Sequence, residues 1–348
     1  MTAEQAPDLS PREARDRYLD HRKVEAADAS VKSWKYRLKH FVEWAEEQQI
    51  ESMGDLTGWY LDEYETFRRG HDVSPSTLNG EMQTLKNWLE YLARIDVVPE
   101  SLPEKVHVPS IPDGEESNDE MLDPEDARVL LQTLRSDPDH YGTVKHALLE
   151  LLWFTGARIG AIRGLDLRDY HSDERFVVFH HRPESDTPLK NDSNGERAVG
   201  LPEVVCEVLD YYIKHHREGS HDDAGRKPLF TTTQGRASEN TLRVWTYLAT
   251  QPCLHSPCPH GKERETCEHL HIHEASKCPS SLSPHRVRTG SITWQRDCNL
   301  PAEIVSERVN ATLEVIESYY DQATERERLE KRRRPYIDYL DLDPEGEA

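Results

Sequence analysis

The sequence has no apolar run near the roughly eighteen residues that a membrane-crossing helix needs, so a membrane protein is not expected. Its opening residues, Met1 to Asp8, lack the basic and apolar regions of a secretory signal, and a cytoplasmic protein is the expectation. Apolar residues make up only 36% of the chain, but they recur with a regular period, which still permits a core. Positive charge is scarce as well: 43 Lys and Arg stand against 65 Asp and Glu, a net charge of -22. Such a balance ordinarily argues against a polyphosphate partner, whose binding rests on Lys and Arg. It equally suits a salt-adapted protein that keeps its basic residues, mostly Arg, for one groove. Internal repeats are absent. Cysteine is sparse at six, and four of the six crowd into one short segment.

What is present is helical pattern. Ser10-Pro11 reads as an N-cap with proline at the first helical position. Val31, Trp34, Leu38 and Phe41 recur at helical spacing, a shorter helix carries Trp59, Tyr64 and Phe67, and Leu78 to Leu92 form another stripe. Residues 1–96 are expected to be a helical bundle. Prolines 99, 103, 109 and 112 and a polar run mark 97–121 as a linker. A second domain is expected over 122–334, starting at the cap Asp123-Pro124, with a long apolar helix ending at Thr155-Gly156. Arg175–His181 and Glu196–Leu201 read as strands paired across a turn containing Asn194-Gly195, and Leu229 starts a further short strand. Helices are expected over 202–216, 239–250, 284–297, 301–309 and 312–322, with an acidic tail over 335–348. The fold class is mainly α with a small antiparallel β-sheet.

The chemistry-bearing residues are spread along the second domain. His285 and Arg288 lie three apart and share one helix face, where they could hold a phosphate. Arg158 follows the helix-ending Gly156. A cation at a helix start opposes the helix dipole unless an anion sits there, although pairing with a nearby carboxylate would also explain it. Lys190 falls in the loop between the two strands, where a lysine is ordinarily just solvated. Tyr319 and Tyr320 follow near the end of the chain.

In this order the elements resemble the tyrosine recombinase (phage integrase) family, most closely its archaeal members. That family carries Thr-Gly-x-Arg, a lysine in a β-hairpin, His-x-x-Arg, and a His or Trp about nine residues before a tyrosine nucleophile. The resemblance covers the whole chain and implies a helical core-binding domain clamping DNA and a mixed α+β catalytic domain. It implies that Arg158 and Arg288 clamp the scissile phosphate, Lys190 protonates the departing 5′ oxygen, His285 moves a proton or supports the phosphate, and a tyrosine forms a 3′-phosphotyrosyl link. Chemistry of that kind needs no cofactor. The His/Trp position falls on Asn310, which can donate a hydrogen bond but cannot shuttle a proton. Nine residues from Asn310 is Tyr319, whereas Tyr-Asp-x-x-Thr-Glu, a pattern of the archaeal members, points to Tyr320. Neighbours on a helix differ by about 100°, so only one can face the phosphate, and Tyr320 is the expected nucleophile.

The segment from Cys253 to Cys278 holds Cys253, Cys258, Cys267 and Cys278 with His255, His260, His269, His271 and His273. Four soft ligands in a segment with little core of its own point to a structural zinc ion that braces the following helix. The favoured set is the four cysteines. Nothing in the family pattern contains this segment.

The expected function is site-specific DNA recombination by cutting and rejoining strands, with double-stranded DNA as partner and a homotetramer assembled on it, as the resemblance implies. A DNA-binding regulator derived from such an enzyme, inactivated at Asn310, is the alternative. A zinc-dependent hydrolase built on the Cys/His segment is a third reading.

Overall fold

The computed structural model describes residues 8–26, 28–111, 120–321 and 323–337. The chain divides into two compact units, Met1–Asn118 and Asp119–Ala348.

The first unit is built on four helices: α1 (Pro11–Arg22), α2 (Asp28–Glu47), α3 (Gly58–Arg69) and α4 (Pro75–Arg94). Ser10 caps α1 reciprocally with Glu13, and Ser74 caps α4 ahead of Pro75. Their apolar stripes meet in a core around Leu38, Phe41, Tyr64, Met82 and Trp88. Phe41 meets Tyr64 and Trp88 edge to face, with centroids 5.0 and 5.7 Å away. Trp88 is fully buried and donates its indole N–H to Ala14 O at 3.3 Å. Truncating such a side chain typically costs about 3–5 kcal/mol, which makes Trp88 central to this unit. Two expectations are corrected here. Val97, Val98, Leu102 and Val106, read as linker because of the prolines around them, are buried in this core. Trp59 is 68% exposed, and Leu61 takes the inward position instead. Residues 112–119 of the expected linker lie outside the described residues.

The second unit is organised around one helix. Next to α5 (Pro124–Ser136) runs α6 (Val144–Thr155), in which Leu148, Leu149, Leu151 and Leu152 are all fully buried. A helix apolar on every side must be surrounded, and α6 packs against α5, α8 (Glu203–His215), α9 (Glu239–Ala249) and α10 (Pro284–Asp297). Its one acid, Glu150, is paired with Arg135 at 2.6 Å and His146 at 3.1 Å. α6 ends at Gly156, whose φ of +61° gives the left-handed C-cap glycine favours. The chain turns there into short α7 (Ile159–Gly164).

A three-stranded antiparallel sheet follows, β1 (Tyr170–His171), β2 (Phe176–Phe179) and β3 (Arg197–Gly200), with Phe179 opposite Arg197. The β2–β3 connection is no tight hairpin. It runs over 180–196 through two 3₁₀ turns, and Asn194-Gly195 lies in the second, Asp192–Gly195. A small ribbon, β4 (Thr231–Thr232) with β5 (Gly235–Arg236), lies before α9. After α10 come α11 (Ala302–Val309), a single turn α12 (Leu313–Val315) and a π-turn Ile316–Tyr320. Helical turns over 325–337 are fastened by Arg332, which binds Asp321 at 2.6 and 2.9 Å and Asp297 at 2.9 Å. The tail over 338–348 lies outside the described residues.

Candidate active site

The centre of the site is the C-terminal end of α11. The last carbonyls of a helix have no partner inside it and attract cations. Three consecutive ones are each taken by an arginine from elsewhere. Arg197 donates Nε–H to Arg308 O at 2.7 Å, Arg288 donates Nη1–H to Val309 O at 2.8 Å, and Arg158 donates Nη1–H to Asn310 O at 2.6 Å. Asn310 closes the helix at φ 53°, ψ 63°, a left-handed conformation in which Asn is tolerated far better than bulkier residues. Arg288 also binds Gly156 O. A side chain at Gly156 would collide with Val309 Cγ1 at 2.8 Å, so that glycine serves close packing as well as the turn.

Two sequence-predicted cations, Arg158 and Arg288, are thereby brought together, and with Lys190 they act electrostatically on His285. Arg288 is 1% exposed, and its Nε and Nη2 are buried with no hydrogen-bond partner among the described residues. Burial first, and then Arg158, lowers its pKa to about 10, while Tyr320 acts in the opposite direction. Arg197, which stacks over the Phe179 ring at 4.4 Å, is lowered to about 9 by burial and by the charges of Arg288 and Arg158. His285 is exposed. Partial desolvation, followed by Arg288, Arg158 and Lys190, pushes its pKa below the ordinary histidine value and favours the neutral ring. Among the described residues, none of Arg158, Lys190, Arg197 and Arg288 is in an ion pair with a carboxylate.

Tyr320 lies against this cluster. It is 5% exposed, with its ring 5.4 Å from the His285 ring and 4.8 Å from Arg288 Cζ. Thr293 Oγ1 donates to Tyr320 O at 2.9 Å, which ties the π-turn to α10. The side chain of Tyr319 is outside the described residues. The choice of Tyr320 rested on the Tyr-Asp-x-x-Thr-Glu pattern, and the α-helix expected over 312–322 is a π-turn over Ile316–Tyr320 that packs on α10.

Lys190 sits between two anchored neighbours. Leu189 is buried, and Asn191 donates Nδ2–H to Asn310 Oδ1 at 2.8 Å. Lys190 itself is exposed. Beyond this loop the connection is held by a second set of arginines that do have partners. Arg182 binds Asp169 at 2.6 and 2.7 Å, and Arg236 binds Asp222 at 2.7 Å and also Asp166. Arg226 reaches Asp222 at 3.1 Å.

The Cys253–Cys278 segment does not gather as expected. It is a chain of 3₁₀ turns in which the four cysteines are free and half-buried. Cys253 Sγ accepts from Arg264 at 3.0 Å. Among the described residues, no three His, Cys, Asp or Glu side chains are placed to hold a metal ion. The donor set suits zinc, but this arrangement does not. The segment is closed at its base, where Leu282 N donates to Thr250 Oγ1 at 2.8 Å immediately before α10.

Arg197 was not singled out from the sequence. Its only local signal is a basic residue at the start of the strand that follows the lysine loop. In the first unit, a groove is lined by Arg12, Arg15, Lys32, Lys35, Tyr36 and Lys39, together with Glu43. Arg12, Arg15 and Lys39 have carboxylate partners, whereas Lys32 and Lys35 have none among the described residues.

The sequence and the fold have counterparts in known proteins. The chain is similar to tyrosine recombinase XerC 2 of Ralstonia nicotianae, 28% identical over 215 residues that take in 59% of this chain and 57% of the relative. It therefore spans little more than half the length of that curated protein. The curated relatives that the chain matches are tyrosine recombinases, at 23 to 28% identity. Across 96% of its length and all of the other chain, the fold matches the Tn1549 transposon integrase in complex with a circular intermediate DNA, with a TM-score of 0.66 at 16% identity. Residues making up 30% of the chain are 82% identical to 99% of the N-terminal domain of a phage integrase/site-specific recombinase from Haloarcula marismortui, at a TM-score of 0.29. No family model matches the chain. Among the described residues, no helix is long and apolar enough to cross a membrane.

Proposed function

We propose that this chain is a tyrosine recombinase that cuts and rejoins DNA strands at specific sites through a covalent 3′-phosphotyrosine on Tyr320. The observation that carries this reading is the arginine cluster beside Tyr320, with buried guanidinium N–H groups left without partners. A phosphodiester is an anion with paired acceptor oxygens that suits such donors. In the reaction, Tyr320 Oη attacks the phosphorus and gives its proton to neutral His285, while Arg158 and Arg288 hold the non-bridging oxygens. The bond from phosphorus to the 5′ oxygen breaks, and that oxygen takes a proton from Lys190. The first unit's groove supplies further contacts to the DNA backbone, and four copies assemble on two duplexes.

A nicked suicide substrate tests the proposal. The wild-type chain is expected to trap a covalent adduct, and Tyr320→Phe to lose it while still binding DNA. An adduct that persists in Tyr320→Phe and vanishes in Tyr319→Phe moves the nucleophile to the neighbour. Specific binding with no adduct on any substrate turns the reading to a DNA-binding regulator.

The net charge of -22 supports a protein working in the cytoplasm of a salt-rich cell, where salt weakens phosphate contacts and buried arginines retain more of theirs. We also propose a structural zinc ion on Cys253, Cys258, Cys267 and Cys278. Its support is the soft donor set in a segment where Ala275 is the one fully buried apolar residue among those described from 253 to 278; the thiols' present separation stands against it. Metal analysis of the purified full chain decides. One zinc per chain, lost in Cys258→Ser and Cys267→Ser, is the expected result, and a zinc-free wild-type chain refutes it.

A further inference from the structure

The β2–β3 connection carries Lys190, and nothing within that loop aims the lysine at the phosphate. Lys190 is exposed and has no ion pair among the described residues. What fixes the loop is its attachment to the end of α11, and there are two ties. The first is Arg197, the opening residue of β3. Its Nε–H is given to Arg308 O at 2.7 Å and its Nη1–H to Gly195 O at 2.9 Å, so a single guanidinium spans the hairpin and the helix end. Phe179, its cross-strand partner, supports it from below. The second tie is the amide pair of Asn191 and Asn310 at 2.8 Å, one residue from the lysine. Gly195 completes the joint, because a Cβ there would meet Asn310 Nδ2 at 2.7 Å and Leu189 Cβ at 3.2 Å. The same helix end holds Arg158 and Arg288.

We propose that Arg197 and the Asn191–Asn310 pair are positioning residues for the leaving-group step, docking the Lys190 loop on the α11 terminus that also orients the two phosphate-clamping arginines. The inference rests on Lys190 acting as the general acid. It gives Asn310 a role that needs no proton transfer: its left-handed backbone exposes the carbonyls the arginines grip, and its amide holds the lysine loop. Two catalytic groups far apart in sequence are thus referred to one structural point. A misplacement of about 1 Å can cost on the order of 10²-fold in rate.

The leaving group provides the test. Replacing the bridging 5′ oxygen of the scissile phosphate by sulfur makes the departing group a thiolate that leaves without a proton. The full-length chain and its variants are compared in single-turnover cleavage on oxygen- and sulfur-bridged substrates. Asn191→Ala, an exposed change that spares the fold, and Arg197→Gln are expected to slow cleavage of the oxygen substrate by roughly 10- to 100-fold. Both are expected to approach the wild-type rate on the sulfur substrate, as does Lys190→Ala. Equal slowing on both substrates, or no slowing in either variant, overturns the proposal. If Lys190→Ala itself is not rescued by sulfur, the general-acid assignment falls, and the proposal with it. That outcome is distinct from the case in which only the positioning variants fail to be rescued.

Discussion

Two sets of arginines lie in the second unit, and they differ in what faces them. Arg182, Arg226 and Arg236 converge on Asp166, Asp169 and Asp222. Arg158, Arg197 and Arg288 converge on three carbonyls at a helix end, with no carboxylate. Burial costs a charge several kcal/mol unless it is paired. The first set offsets that cost with carboxylates and acts as a brace; in the second, Arg288 keeps Nε and Nη2 without a hydrogen bond among the described residues, which under the proposed function a substrate phosphate would satisfy. Chemically identical side chains on one scaffold therefore separate into structure and function by their partners alone.

The largest effect that could break this contrast is expected from Arg288→Ala. It should lower single-turnover cleavage by about 10²–10³-fold or more, while the urea midpoint falls less than for a brace variant, since the loss of the hydrogen bonds to Gly156 O and Val309 O is partly offset by removal of an under-paired buried charge. Severe destabilisation would place Arg288 with the braces. The converse variant, Asp166→Asn, should destabilise the fold by about 3–5 kcal/mol, read as a lower urea midpoint, because Arg182, Arg226 and Arg236 would lose a shared carboxylate. A stable Asp166→Asn chain would show that the first set is not a brace. Anions sharpen the difference: sulfate at about 100 times its dissociation constant should stabilise the wild-type chain by about 2.7 kcal/mol, an effect absent in Arg288→Ala at matched ionic strength.

Acidity separates the two sets again. Burial alone would raise the pKa values of Asp169 and Asp222, but the hydrogen bonds from Arg182 and Arg236 hold both below the ordinary range. Their contribution is complete above the ordinary aspartate value and is lost as pH falls through their lower folded values. His285 is also lowered, so it stays neutral further into the acid range. The acid limb of the cleavage rate should therefore fall below the ordinary histidine value of 6.5. A midpoint at or above that value would mean that the neighbouring cations do not act on the ring.

The sequence made Arg158 and Arg288 of one set readable and left the other set hidden, for a physical reason. Arg158, Lys190, His285 and Arg288 stand in short motifs whose order and spacing are preserved in the chain itself. The Asp166, Asp222 and Arg236 contacts join elements far apart in the chain, with no local pattern to mark them. Arg197 was missed in the same way, since its role depends on the register Phe179–Arg197 and on where α11 ends. Helix positions followed from caps and periodicity. The linker was drawn too early because prolines near 99–109 outweighed Val97, Val98, Leu102 and Val106, whose burial depends on the packing of the whole bundle. The face argument for Tyr320 assumed an α-helix where the backbone forms a π-turn.

The central claim is that Tyr320, lying against the under-paired arginines, becomes joined to DNA. Peptide mapping of the trapped wild-type adduct by mass spectrometry tests it most directly. The nucleotide remnant is expected on Tyr320; a remnant on Tyr319 or any other residue, or an intact adduct in Tyr320→Phe, would contradict it.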